Sequence, residues 1–343
     1  MYLHTLLNIL RGEMAFVGPR PLSASQAQSL SQATKMRFSV RPGWFSLYAL
    51  RQKTGVAHEA ESEHDKEFIY NETLKGDVGL MLRYSIGSLL GGSSPLPAPD
   101  KLNFFGVEIV NTDMMEAVQW IGQQARQPQN SLVAYVNPDC LNIAYRDEDY
   151  QQILQQAERV FPDGIGIHIG CRMLGQSLRA NVNCTDLFPL LCQYCVDANL
   201  TLFLLGAQPG VAEATAQNMT KRYPGLRIAG HQHGFFAPQA TELVIADINA
   251  SRADILIVAF GAPQQEKWLA QHRNQLQPKV LMGVGGLFDF YAERIPRAPR
   301  WMRDIGMEWI WRLMQEPKRM WRRYIIGNPL FLYRVWRQAR TTR

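Results

Sequence analysis

Residues 255–268 read ILIVAFGAPQQEKW. A run that is apolar at every position ends in Gly and Pro, and a polar, helix-competent stretch follows. Such an unbroken apolar run suits a strand buried on both faces, because neither face meets water. The same change of pattern recurs along the chain. Apolar runs at 132–136, 201–205, 227–229 and 280–284, with a short one at 159–161, alternate with helix-like stretches at 140–157, 186–198, 210–223, 239–251 and 263–275. A further run at 104–110 precedes a helix that Thr112 can cap, whose Met115, Val118 and Ile121 repeat at helical spacing. The alternation predicts an α/β fold in which a parallel sheet is covered by helices on both faces. Right-handed crossovers then set the loops after the strands along one edge, where ligands of such sheets bind.

The strand ends therefore carry the candidate chemistry. They are Asn137-Pro138-Asp139, Pro162-Asp163-Gly164, Gly206-Ala207, the GAPQQEKW stretch with Gln265, Glu266 and Lys267, and GVGGLFD with Gly285, Gly286 and Asp289. Glycine lets a backbone approach a phosphate closely, and helix N-termini aim N–H groups at an anion. Each piece alone has an ordinary reading. Pro-Asp-Gly is a common turn, GVGG is not the dinucleotide fingerprint, and Gln265 and Glu266 suit a helix start. Their joint placement on one edge points to nucleotide binding.

A chain of 343 residues with 46% hydrophobic and 19% charged residues is globular and long enough for about two domains. Its charge is uneven. The last fifty residues hold thirteen Lys/Arg against three Asp/Glu, a net of +10 in a chain whose total is +6. Five of the eight Trp (301, 309, 311, 321 and 336) fall there too. Trp beside Arg and Lys on amphipathic helices is the composition of an interfacial membrane segment. No nucleic-acid-binding motif accompanies it, so an anionic membrane surface is the expected partner. Arg312 and Arg319 stand seven apart, but Pro317 intervenes and starts a second helix. No stretch reaches the length of a spanning helix and no signal peptide opens the chain. The expected place is the cytoplasmic face of the inner membrane, peripherally held. The five cysteines are odd in number and irregularly spaced, which indicates a reducing compartment. Cys192 and Cys195 read as the apolar face of a helix, with no second pair to hold zinc.

Residues 91–102, GGSSPLPAPDKL, read as a linker. The expected organisation is a segment at 1–90, an α/β domain at 103–293 and a basic, Trp-rich appendage at 294–343. From Phe104 to about Trp336 the sequence resembles the WecG/TagA/CpsF glycosyltransferases. The pieces that carry the resemblance are FFGVEI, VNPD, PDGIGI, NCTDLF, LLGAQPGVAE, YPGLRIAGHQHGFF, ILIVAFGAPQQEKW, MGVGGLFDFYAERIPRAP and GMEWIWRLMQEPKR. The family implies a Rossmann-like domain with a basic C-terminal appendage. It also implies inverting transfer from a UDP-sugar to a polyprenyl-diphosphate-linked saccharide in cell-surface or exopolysaccharide synthesis. By position, Asp163 is implied as general base and Asn137 as its neighbour. Gln265 and Asp289 are implied as donor or nucleotide contacts, and Arg312, Arg319 and Arg322 as the arginines that meet the diphosphate. Asp139, Asp186, Gly206, Gly285 and Gly286 complete the expected substrate- and nucleotide-binding set. Many members carry Arg where this chain has Asn181. No Asp-x-Asp stands at a strand end, so metal-independent transfer without a cofactor is expected. A homo-oligomer is allowed.

In the short segment, LLNILRGEMAFVGPRPL and FSVRPGWF resemble the C-terminal part of bacterial polyprenyl-phosphate sugar-phosphate transferases. The Asp-Glu pair of that family would fall at Met1 and Tyr2. The resemblance thus implies a remnant without phosphotransferase activity, or a piece of a longer bifunctional protein. The loss of that pair, with Asn181, leaves an inactive membrane-associated scaffold as the alternative function.

Overall fold

The computed structural model describes every residue except 1, 29, 31, 57–58, 72, 92–95 and 342–343. Met1 and the middle of the expected 91–102 linker thus lie outside the described residues. The chain packs as two units: Met1–Pro95 with Ala298–Glu308, and Leu96–Arg297 with Trp309–Arg343. The tail expected from 294 onward is therefore not packed as one piece.

In the first unit, β1 (Ala15–Val17) and β2 (Gly43–Phe45) form a parallel pair. Gly18 and Gly43 face each other at its edge, and a Cβ on either would strike the other's backbone. Ser46 caps the helix Leu47–Thr54, and Gly55, at φ 74°, ends it in the left-handed conformation. Val17, Leu47, Leu50 and Leu80 form a small core that Ile305 completes. The preceding residue, Asp304, is buried and bound by Arg51 Nε and Arg83 Nη1, each at 2.8 Å, while Thr54 Oγ1 donates to its carbonyl at 2.7 Å. Arg51 spends its remaining nitrogens on Glu67, at 2.7 and 3.0 Å.

The second unit is the α/β body. Its strands are β3 (Lys101–Phe104), β4 (Val107–Val110), β5 (Ser131–Val136), β6 (Arg159–Pro162), β7 (Thr201–Gly206), β8 (Arg227–Gln232), β9 (Ile255–Ala259) and β10 (Val280–Gly283). The last six make one sheet in the order β6-β5-β10-β9-β7-β8, parallel throughout. The chain leaves β5 for β6 on one flank and β7 for β8 on the other, so the connections diverge about the central strands. Pleating sends alternate residues to opposite faces. Val133, Tyr135, Leu202, Leu204, Ile255, Ile257, Val280 and Met282 pack under helices Met114–Gln124, Cys184–Ala198 and Val211–Arg222. Opposite them, Leu132, Leu205, Leu256, Val258 and Leu281 meet helices Thr241–Ala250 and Gln264–His272. Beside these, Ala134, Val136 and Val160 pack with Phe331 and Val335 of the last helix, Gly327–Thr341.

Three local expectations change. The run at 104–110 is an antiparallel hairpin, not a strand of the main sheet, because Phe105 and Gly106 both take positive φ (56° and 86°) and turn the chain back within two residues. The stretch 140–157 breaks into Pro138–Ala144 and Glu148–Gln156, the second capped by Asp147. Asp113, not Thr112, caps the helix that follows the hairpin, in a reciprocal capping box with Glu116, and the Thr112 hydroxyl donates to the Glu116 carboxylate. Cys192 and Cys195 lie buried on the apolar face of Cys184–Ala198 with free thiols, and Pro317 opens its own short helix, Pro317–Trp321.

Candidate active site

The carboxyl ends of β5 and β6 are tied together. The Asp163 amide donates to the Val136 carbonyl at 2.8 Å, which sets the Pro-Asp-Gly turn beside Asn137. Asn137 caps the helix Pro138–Ala144, its side-chain oxygen accepting from the amides of Asp139 (3.0 Å) and Cys140 (3.1 Å). Gly164 takes φ 94° with open space where a Cβ would stand. Its amide donates to Asn181 Oδ1 at 2.7 Å. Asn181 thus holds the backbone of the Asp163 turn, a role the sequence did not reveal. Asp163 is half-buried. Burial above all raises the Tyr135 hydroxyl and the Cys184 thiol above their ordinary values, and the charge of Asp163 adds to both.

Gln265 organises the next two strand ends. It is only 2% exposed, and its single side-chain oxygen accepts from the amides of Gly261 (3.1 Å) and Gly285 (2.9 Å). Its amide nitrogen donates to Glu266 Oε1 at 2.7 Å. Glu266 is fully buried, and loss of hydration pushes its carboxyl up to about 7. The polar atoms of Gln265, the expected donor or nucleotide contact, are engaged by the two loops and by Glu266. Gly206, at φ 134°, lies so close to Ala259 that a Cβ would overlap that backbone. Gly285 (φ 60°) opens to solvent, whereas a Cβ on Gly286 would stand 2.5 Å from Arg312 Nη2 and 3.8 Å from Asp289 Oδ2. Asp289 pairs with Arg294 at 3.2 Å. Asp186 pairs with Arg297 at 2.7 Å and accepts from Asn183 at 2.8 Å, so it anchors the start of its helix.

The tail arginines divide. Arg312 lies over the Phe290 ring at 5.4 Å and against the GVGG loop. Arg319 is 62% exposed and held by Glu316 at 3.0 Å, and Arg322 lies exposed over the Trp321 ring. They do not share a helix face with Arg312, because Glu316 (φ −127°, ψ 60°) breaks the helix before Pro317. Arg323 turns inward instead. Its Nε is 3.5 Å from Asp139 Oδ2, and the charges of Asp139 and Asp163 help to hold its proton. A π-helical turn at Arg322–Ile326 changes the helical register there. The sheet edge carries Asn137, Asp139, Asp163, Gln265, Gly285, Gly286 and Asp289, with Arg312 against the GVGG loop and Arg323 beside Asp139; Arg319 shares Glu316 with Arg312, and Arg322 is exposed.

Residues 102–343 match the model of the WecG/TagA/CpsF glycosyl transferase family. The chain belongs to this family. Among its relatives are the N-acetylglucosaminyldiphosphoundecaprenol N-acetyl-beta-D-mannosaminyltransferases of Staphylococcus aureus strains MRSA252 and MW2. Each is 32% identical over 242 residues, covering 70% of this chain and 94% of the relative. The WecG/TagA/CpsF body is thus a glycosyltransferase preceded by a second likeness, since residues 2–89 match the bacterial sugar transferase model. Among the described residues no helix is long and apolar enough to cross a membrane.

Proposed function

We propose that this glycosyltransferase moves a sugar from a UDP-sugar to a polyprenyl-diphosphate-linked saccharide, with inversion, in cell-surface polysaccharide synthesis. It works at the cytoplasmic face of the membrane. The observation that carries this reading is Asp163, half-buried on the sheet edge, its amide tied to the Val136 carbonyl beside Asn137, with Arg323 of the tail next to Asp139 at 3.5 Å. The attacking acceptor hydroxyl must lose a proton as its oxygen bonds to the anomeric carbon, and Asp163 is the group placed to take it. As the anomeric C–O bond breaks, negative charge gathers on the departing UDP. Amides of the GVGG loop and the Arg312 guanidinium meet that charge. With cations supplied by the tail, transfer proceeds without a metal, and EDTA leaves the rate unchanged. The name of the relatives makes UDP-N-acetylmannosamine the first donor to try and an N-acetylglucosaminyl-diphosphate lipid the first acceptor.

The test is Asp163→Asn, assayed by UDP release with a short-chain lipid-diphosphate acceptor. A fall in kcat of about 10²–10⁴ with UDP binding retained is expected, as for the loss of a general base. Near-normal turnover in that variant would sink the assignment. Absence of turnover and of UDP binding with every donor, in the unaltered protein, would favour the scaffold reading.

A further inference from the structure

The donor pocket rests on a hydrogen-bond relay whose innermost member faces no ligand. Glu266 is fully buried. Its Oε1 accepts from Gln265 Nε2 at 2.7 Å, while its Oε2 is buried with no hydrogen-bond partner. Gln265 in turn presents one oxygen to two backbone amides from different strand ends, Gly261 after β9 and Gly285 after β10. A primary amide can sit either way round in the same space. Turned over, Gln265 would aim its NH₂ at two N–H donors, and both glycine amides would lose their acceptor. The two glycine amides favour the upright state, and Glu266 anchors it from the other end, its Oε1 accepting from Gln265 Nε2.

We propose that Glu266 is a positioning residue for the donor nucleotide: it fixes the Gln265 amide so that one oxygen pins the Gly261 and Gly285 loops in their binding geometry. This rests on the reading above, in which those loops bind the UDP-sugar. Val284 is anchored in the core, its amide donating to the Val258 carbonyl, but the glycines on either side of these turns have no side chain of their own. Gly261 and Gly285 both take positive φ (86° and 60°) with open space around the missing Cβ, and their amides share the one Gln265 oxygen. Glu266 touches neither donor nor acceptor. Its effect is on KM for the donor and on UDP affinity, not on the proton transfer at Asp163.

The test uses the full chain and two readouts. In Glu266→Met, Gln265 Nε2 is left buried without its acceptor, and the side chain is no longer anchored under the two glycine amides. The donor KM and the Kd for UDP should rise about tenfold or more, with kcat within about threefold, the scale of one buried hydrogen bond lost. Glu266→Gln keeps a carbonyl at the same place and should restore both. Independently of turnover, amide hydrogen exchange at peptides spanning Gly261 and Gly285 should quicken in Glu266→Met and return in Glu266→Gln. The exchange result stands even if the chain transfers no sugar, so failure of the functional reading and failure of the relay are separable. Should Glu266→Met not fold, Glu266→Asp draws the carboxyl back by one methylene, and the same shifts are required of it. A folded variant with unchanged donor KM, UDP Kd and exchange overturns the proposal, as does a loss confined to kcat.

Discussion

Asp163 and Glu266 show how much a residue's surroundings add to its identity. Both lie at strand ends that the sequence marks by the change from apolar run to Gly and Pro. The place of Asp163 at a strand end was legible and its proposed role came from the family resemblance, whereas the burial of Glu266 was not legible, because a Glu in the first turn of a helix is ordinarily a solvated cap. What buries it is packing between helices remote in sequence, which no local pattern encodes. A pH effect follows. The carboxyl of Glu266 is raised from 4.5 to about 7 by burial, so folding favours its protonated form. Its contribution to stability is complete below about pH 4.5 and is lost as pH rises through about 7. Glu266→Gln, which stays neutral, should be more stable than the unaltered protein at pH 8 by as much as ~3 kcal/mol, and the gap should close toward pH 4. Urea unfolding at the two pH values measures it, and a gap independent of pH would contradict the buried acid.

Among elements, the parallel strands were legible because burial on both faces leaves a continuous apolar run. The hairpin β3–β4 was not, since its turn depends on Phe105 adopting a positive φ that is uncommon outside Gly, Asn and Asp. The tail was legible in composition and illegible in phase. Helical spacing assumes one period, and the π turn at Arg322–Ile326 breaks it; Arg322 is exposed there while Arg323 reaches Asp139. Arg323→Met should lower kcat/KM about 10- to 100-fold through loss of a charged partner at the pocket. Arg322→Met should leave kcat/KM with a soluble donor and acceptor nearly unchanged and weaken binding to anionic liposomes. Equal effects of the two on kcat/KM would refute the assignment. Exposed Trp321, Ile325 and Ile326 sit with Arg319 and Arg322 on the outer side of this tail. Replacing Ile325 and Ile326 by Ser should reduce liposome binding at least about tenfold. Truncation is a poorer test, because Phe331 and Val335 of the last helix belong to the core.

At the scale of the molecule, the N-terminal unit is incomplete without residues 298–308. No sequence pattern announces this, because its ties are among the longest in the chain: Arg51 and Asp304 are 253 positions apart. Asp304→Ala would leave buried Arg51 with the Glu67 carboxylate alone and half-buried Arg83 without its carboxylate, at a cost of about 2–4 kcal/mol to the N-terminal unit. Denaturant unfolding should show an early transition in that variant, with near-normal unfolding of the α/β body. A single transition at the unaltered midpoint would refute the tie.

The same arrangement sets a schedule. A chain grows from its N-terminus at about 5–20 residues per second. The segment that carries Asp304 and Ile305 is made roughly 200 residues after the unit it completes, so every new molecule spends on the order of 10–40 s with Arg51, Arg83 and Leu50 awaiting their partners. During translation the N-terminal unit is a receptor whose ligand has not yet been synthesised.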